Sequence, residues 1–167
     1  MSTAKTIAVI PARGGSKRIP GKNIKEFCGK PMIAYSIEVA IRSRLFDQIV
    51  VSTDDAEIAR IATERGATSP FERPTELSDD HTPTLPVIRH AIETIEAQQQ
   101  AKLELVCCIY ATAPFLQAPN LIEGHDCLKN DITLDFAFSV TSYAFPIQRA
   151  LYLEPKNGTV QMFLPEH

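Results

Sequence analysis

Apolar, β-branched runs that read as strands alternate with segments of helical periodicity along most of the chain, and this alternation constrains the fold more than any other feature. Residues 5–11 (KTIAVIP) read as a buried strand that ends in a Gly/Pro-punctuated stretch from Pro11 to Gly21. Pro31 suits the first turn of a helix, where its missing N–H does no harm, and Ile33, Ile37, Ala40 and Ile41 follow at helical spacing, so a helix is predicted near residues 31–44. Residues 48–53 (QIVVST) repeat the strand pattern, and Ile58, Ile61 and Ala62 mark a second helix stopped at Gly66. Leu85, Ile88, Ile92 and Ile95 space a third helix before a polar Gln98-Gln99-Gln100 tail, and residues 105–110 (LVCCIY) give a third strand. A helix over 119–130, a fourth strand over 134–141 (LDFAFSVT) and a weak hairpin turning at Asn157-Gly158 complete the reading.

Strands that alternate with helices this long need right-handed crossovers, which give a mostly parallel sheet covered on both faces. The fold class is therefore α/β, in three layers. Such sheets bind ligands beyond the carboxyl ends of their strands, so chemistry is expected in the loops after Pro11, Thr53 and Tyr110. At 167 residues, 44% apolar and 22% charged, the chain is long enough for one domain with a real core.

Several function classes drop out on composition. No apolar run approaches the ~20 residues of a membrane helix, and no secretory leader pattern opens the chain, so a cytoplasmic protein without membrane partners is expected. Cys28, Cys107, Cys108 and Cys127 show neither C-x-x-C nor metal-ligand spacing and read as buried small hydrophobes. Asn157-Gly158-Thr159 matches a glycosylation acceptor but reads better as a turn. The net charge of −3 argues against non-specific nucleic-acid binding. That charge is uneven: residues 1–30 hold seven Lys/Arg against Glu26 alone, a balance of +6 that leaves −9 on the other 137 residues. A basic segment on an acidic body suits a compact polyanion.

The basic segment centres on residues 12–23 (ARGGSKRIPGKN), directly after the first strand. Adjacent glycines let a backbone approach an anion and present N–H donors, while Arg13, Lys17, Arg18 and Lys22 supply charge. A solvated basic loop is the plainer reading of such a run. Its place at a strand's carboxyl end, the Gly14-Gly15 pair and the path-fixing Pro11 and Pro20 favour a triphosphate cradle instead. It is not a P-loop, because Gly15 and Gly21 are separated by five residues and Asn23 follows Lys22, and no G-x-G-x-x-G fingerprint is present.

These residues, from Ile10 through Asn23, then Gly29-Lys30-Pro31, Val51-Ser52-Thr53-Asp54 and Arg73-Pro74, resemble the acylneuraminate cytidylyltransferase (CMP-sialic acid synthetase) family, long motifs in the right order. Residues 110–115 (YATAPF), 139–142 (SVTS) and 145–150 (FPIQRA) look most like the branch that activates pseudaminic acid, a bacterial nonulosonic acid, and the resemblance runs over residues 5–165. It implies a Rossmann-like α/β/α fold of the nucleotide-diphospho-sugar transferase type, and a reaction in which the sugar's anomeric hydroxyl attacks the α-phosphorus of CTP, giving a CMP-sugar and pyrophosphate with Mg²⁺ as divalent metal.

By the same resemblance, Arg13 and Lys22 are the catalytic cations, the first a planar fork and the second a point charge. Ala12, Gly14, Gly15, Ser16 and Asn23 are expected on the nucleotide, although an Asn in a turn is an equally sound reading of Asn23. Arg73 is expected to read the cytosine edge, with Thr82 and Thr84 closing around the base. Tyr110, Thr112, Pro114, Gln148 and Arg149 are expected on the sugar side, with a structural ion pair an equal alternative for Arg149. Relatives that use N-acetylneuraminate carry glutamine in place of Tyr110 and lysine in place of Gln148, and the two departures favour pseudaminate.

The family chain continues past Leu164-Pro165-Glu166-His167, so the resemblance implies that the homodimer arm, further sugar contacts and an aspartate-rich metal-binding stretch lie outside this sequence. No metal ligand is assigned. Asp54-Asp55, which close the second strand, and Asp79-Asp80, expected near the nucleotide, are candidates, though acids at a strand end are as often helix caps. An active cytidylyltransferase, a CTP-binding module without turnover and a transferase of similar fold for another nucleotide all remain open, and Phe145 and Phe163 are expected to be exposed apolar surface.

Overall fold

The computed structural model describes residues 4–17, 19–142, 144–156 and 158–166. They divide into two compact units, residues 1–137 and 138–167.

The first unit is built on three parallel strands in the order β4-β1-β5. In β1 (Thr6–Pro11) the side chains alternate between faces, as the two-residue period of a strand requires. Ala8 and Ile10 point into one core with Ile33, Ile37 and Ala40 of α1 (Met32–Ser43) and Ile58, Ile61 and Ala62 of α2 (Ala56–Glu64). Leu121 of α4 (Ala118–Asn130) packs on the same side. Ile7 and Val9 point the other way, against Ile88, Ala91 and Ile95 of α3 (Thr84–Gln99). A sheet clothed on both faces by helices is the three-layer α/β/α arrangement that the alternation predicts.

β4 (Gln48–Ser52) pairs in parallel with β1 from Ile7↔Gln48 to Pro11↔Ser52, and β5 (Leu105–Cys108) pairs from Thr6↔Leu105 to Val9↔Cys108. The chain winds from β1 to β4 on one side and later returns to lay β5 on the other. The order therefore reverses at β1, and the crevice beyond the carboxyl ends of β1 and β5 is a topological switch point. A two-residue hairpin of β2 (Glu26–Phe27) and β3 (Lys30–Pro31) leads into α1. Cys28 and Gly29 turn it with φ of 49° and 86°, the two left-handed conformations of a type I′ turn.

α2 shows how the sequence ends one element and starts the next. Asp55 is extended and accepts from the N–H groups of Glu57 (2.8 Å) and Ile58 (3.0 Å), which satisfies two orphan donors of the first turn. Asp55→Ala is expected to lower stability by about 1 kcal/mol, read as a shift in the urea midpoint without a change in slope.

The second unit holds a short antiparallel hairpin of β6 (Leu151–Leu153) and β7 (Val160–Met162), where the sequence places one. Gly158 takes φ of 71°, and Asn157 lies outside the described residues, as does Arg18. Phe145 and Phe163 are 80% and 59% exposed.

Four expectations are corrected. Residues 134–141 form no strand, although Leu134, Phe136, Phe138 and Val140 alternate as a strand should. Alternation codes for a strand only where a neighbouring edge takes up its backbone groups, and no described strand does so. The cysteines are not core residues: Cys28, Cys108 and Cys127 are exposed and Cys107 is half-buried. Cys107 and Cys108 lie on an outer strand, Cys28 on a hairpin turn and Cys127 on the outer side of a helix, while burial pushes the Cys107 thiol up to about 11. Pro31 is not in the first turn of α1 but precedes it as the cap residue, in extended conformation. Leu85 and Ile41 face outward at 65% and 45% exposure, and Val87 and Ala91 complete the buried stripe of α3 instead.

Candidate functional site

The loop from Ala12 to Asn23 leaves the central strand at the switch point. The Ala12 N–H donates to the Ser52 carbonyl (3.0 Å), continuing the β1 ladder by one residue, and Ala12 is buried. Its small side chain belongs to the core on the α1 side and not to an open cradle. Asn23 is 3% exposed, donates from Nδ2 to the Arg13 carbonyl (2.9 Å) and accepts at its own carbonyl from the Ile33 N–H (2.8 Å). It ties the two ends of the loop together and ties both to α1. That geometry gives Asn23 the turn-residue role among the two readings. Gly21, with φ of 61°, accepts from the Ile24 and Lys25 N–H groups and turns the chain where a side chain would be strained.

The two adjacent glycines have different jobs. Gly14 donates its N–H to Asp54 Oδ1 (3.0 Å), and a Cβ placed on it would come within 2.9 Å of the Asp55 Cβ. Its missing side chain makes room for the α2 cap, and its amide is already engaged. A Cβ on Gly15 would meet nothing within 4 Å. Among the described residues the Gly15 N–H has no partner, so Gly15 is the glycine whose amide can meet an anion.

Three loop cations are described. Arg13 Nη2 pairs with Asp80 Oδ1, and Lys17 Nζ pairs with Asp80 Oδ2 at 2.5 Å. Lys22 makes no ion pair among the described residues. Ser16 donates its N–H to the Gly14 carbonyl (2.9 Å), which folds the loop tip back on itself. Asp79 holds the opposite segment in shape by accepting from the N–H groups of His81 (2.9 Å) and Thr82 (2.6 Å) and from the Thr82 hydroxyl (2.7 Å). Thr82 is therefore tied to Asp79 through both its N–H and its hydroxyl.

Arg73 is 5% exposed, unusual for arginine. Nη2 donates to the Ser52 carbonyl, the backbone N–H donates to the Thr53 carbonyl (2.8 Å), and Nε has no partner. Burial pushes its pKa down, opposed by the neighbouring Asp54 carboxylate and reinforced by Arg13, though an arginine stays charged under any of these influences. Asp54 thus holds the Gly14 amide and supplies the negative charge beside a buried guanidinium. Sequence reasoning read Asp54 and Asp80 as metal candidates or caps, not as partners of the loop. An acid flanking a basic loop was the signal that they are its counter-charges.

Beyond β5, the Tyr110 carbonyl accepts from the Ser36 hydroxyl (2.8 Å), while the Tyr110 hydroxyl lies 3.4 Å from the Thr84 hydroxyl. Tyr110 and Thr84 therefore meet, while Thr112 is exposed and Pro114 half-buried. Gln148 and Arg149 lie on an exposed 3-10 turn of the second unit, Ile147–Arg149, and Arg149 makes no ion pair among the described residues.

Magnesium prefers one or two carboxylates along with phosphate oxygens and waters. Asp54 and Asp55 are taken by backbone N–H groups and Asp80 by two cations, and no group of three His, Cys, Asp or Glu among the described residues could hold a metal. Among the described residues no carboxylate cluster alone would hold magnesium, and an ion bound mainly by a nucleotide's phosphates needs none.

Hydrogen bonds and cations hold both carboxylates of the 79–82 turn below the ordinary range: Asp79 by Thr82 and His81, and Asp80 by Lys17 and Arg13 to about 2. A depressed folded pKa adds stability that is present above the unfolded value of roughly 4 and is lost as pH falls towards the folded one. Thermal midpoints are therefore expected to be insensitive to these groups from pH 5 to 8, and to drop less steeply below pH 4 in Asp79→Asn than in the parent chain.

A family model described as cytidylyltransferase matches residues 7–144. Pseudaminic acid cytidylyltransferase of Campylobacter jejuni serotype O:2 is 46% identical over 163 residues, which is 98% of this chain and 69% of that protein. CMP-N,N'-diacetyllegionaminic acid synthase of Legionella pneumophila is 42% identical over 113 residues, covering 66% of this chain and 47% of the relative. Among solved structures, a CMP:2-keto-3-deoxy-manno-octonic acid synthetase complexed with CTP superposes with a TM-score of 0.65 at 23% identity, over 78% of this chain and 49% of its own, a likeness of fold.

Proposed function

We propose, because this chain belongs to the cytidylyltransferase family, that it is a nucleotidyltransferase activating a nonulosonic acid of the pseudaminic type with CTP. The observation that carries this reading is the 46% identity, over 98% of the chain, with a pseudaminic acid cytidylyltransferase. The arrangement at the switch point supports the nucleotide half. Cations of one loop and the unpartnered Gly15 amide gather beyond β1, where fixed positive charge stabilises a departing pyrophosphate.

In this reading the anomeric hydroxyl attacks the α-phosphorus, the bond to the β-phosphate oxygen breaks, and pyrophosphate leaves against Arg13 and Lys22. Asp54, Asn23 and the engaged Gly14 amide hold the loop in register, while Gly15 and Ser16 face the phosphates. The buried Arg73, with Nε unpaired, is assigned to the cytosine edge with Thr84, and Tyr110 and Thr112 to the sugar side. Gln148 and Arg149 stay in the proposal as sugar ligands. Magnesium belongs to it as an ion that CTP carries on its phosphates, and a homodimer and a cytoplasmic location belong to it as well. No helix of the described residues is long and apolar enough to cross a membrane.

Competition tests the nucleotide assignment. CTP is expected to displace a fluorescent cytidine nucleotide well below the concentrations that UTP or GTP need. Equal displacement by all three would assign the chain to another transferase of similar fold.

A further inference from the structure

A single carboxylate, Asp80, spans two cations of the loop: one oxygen on Arg13 and the other on Lys17. Asp80 comes from a different segment, held out by the Asp79 turn, so the loop does not make this contact with itself. Its side chain and that of Arg13 are each about three-quarters covered, at 24% and 25% exposure. Of the other described charges of the loop and its neighbours, Asp54 holds the Gly14 amide beside Arg73, Asp55 caps α2, and Lys22 has no acidic partner among the described residues.

An anion with several phosphates must contact the same guanidinium and ammonium. A carboxylate left between them would face it with like charge, a repulsion that solvent and salt screen at the exposed Lys17 end and screen less at the covered Arg13. We propose that Asp80 is a placeholder for the ligand's phosphates: it neutralises Arg13 and Lys17 while the site is empty, yields them when the polyphosphate binds, and retakes them as pyrophosphate leaves. This inference rests on the loop being the polyphosphate site. Asp80 then lowers ground-state affinity while keeping the two cations ordered, and it favours release of the charged product.

The test uses the 167-residue chain in metal-free buffer, with inorganic tripolyphosphate and pyrophosphate as titrants for the parent chain, Asp80→Asn and Arg13→Ala. Asparagine keeps the shape and removes the charge, and thermal midpoints at pH 7 report whether each variant is folded. The expected result is tighter binding of both anions by Asp80→Asn, by roughly five- to tenfold, with weaker binding by Arg13→Ala. In turnover Asp80→Asn should show a lower KM for CTP and stronger inhibition by pyrophosphate. Weaker or unchanged binding by a folded Asp80→Asn, with Arg13→Ala still impaired, would overturn the placeholder role alone and make Asp80 an orienting partner of Arg13. Equal binding by the parent chain and Arg13→Ala would remove the polyphosphate assignment itself.

Discussion

Arg13→Ala is expected to slow pyrophosphate release by about 10²- to 10³-fold while leaving the thermal midpoint nearly unchanged, the usual consequence of losing one fixed group aimed at developing charge. The separation of activity from stability follows from which atoms of Arg13 do structural work. Its backbone carbonyl accepts from Asn23 and closes the loop, and alanine keeps that carbonyl. Among the described residues the guanidinium's ion pair is with the partly exposed Asp80, so its removal costs the fold a solvent-screened interaction. Lys22→Ala should behave alike in rate and leave the fold intact, because Lys22 makes no ion pair among the described residues. Single-turnover pyrophosphate release beside a thermal melt checks both. Normal turnover by a folded Arg13→Ala protein would contradict the role given to this loop.

The second large effect separates two neighbouring glycines. Gly14→Ala would push a methyl group against Asp55, whose Cβ stands 2.9 Å from the added atom and whose carboxylate caps α2 through Glu57 and Ile58. Relief requires moving the cap or the loop. Moving the loop breaks the Gly14 N–H bond to Asp54, the residue beside the buried Arg73. Overpacking and a weakened cap together predict a loss of about 2–4 kcal/mol, or roughly 5–15 °C in Tm. Gly15→Ala meets nothing within 4 Å and is expected to melt with the parent chain. A scanning melt of the two variants side by side decides the point, and equal midpoints would show that the close approach at Gly14 is not felt.

The contrast also shows what a sequence can and cannot carry. Period-2 and helical patterns located β1, β4, β5 and all four helices to within a few residues; β1, β4, α1, α2 and α3 bury their apolar faces against neighbours that read the same way, while β5 and α4 are only partly covered. Residues 134–141 carry an equally good strand pattern and remain irregular, since a strand needs an edge to pair with and alternation does not supply one. The cysteines misled for a related reason. Small apolar character says that Cys108 can be buried, while exposure depends on β5 being an outer strand, which is a property of topology.

At the site, the sequence marked the basic Gly-Gly loop after the first strand. The division of labour within it depends on distant segments. Gly14 answers to Asp54 and Asp55 about forty residues away, and Arg13 and Lys17 answer to Asp80. Thr82 donates its hydroxyl to Asp79 three residues before it, a contact that the sequence alone does not show. Arg73 had only the resemblance to raise it above a surface arginine, and its burial beside Ser52 and Asp54 is a tertiary fact.

The central claim, cytidylyl transfer from CTP to a nonulosonic acid, is tested most directly by pyrophosphate release from the 167-residue chain with CTP and Mg²⁺. Pseudaminic acid is supplied in one arm and N-acetylneuraminic acid in the other. Release with pseudaminic acid and little or none with N-acetylneuraminic acid is the predicted result. No release with either sugar from a folded chain that still binds CTP would contradict it, and would leave a nucleotide-binding module without turnover.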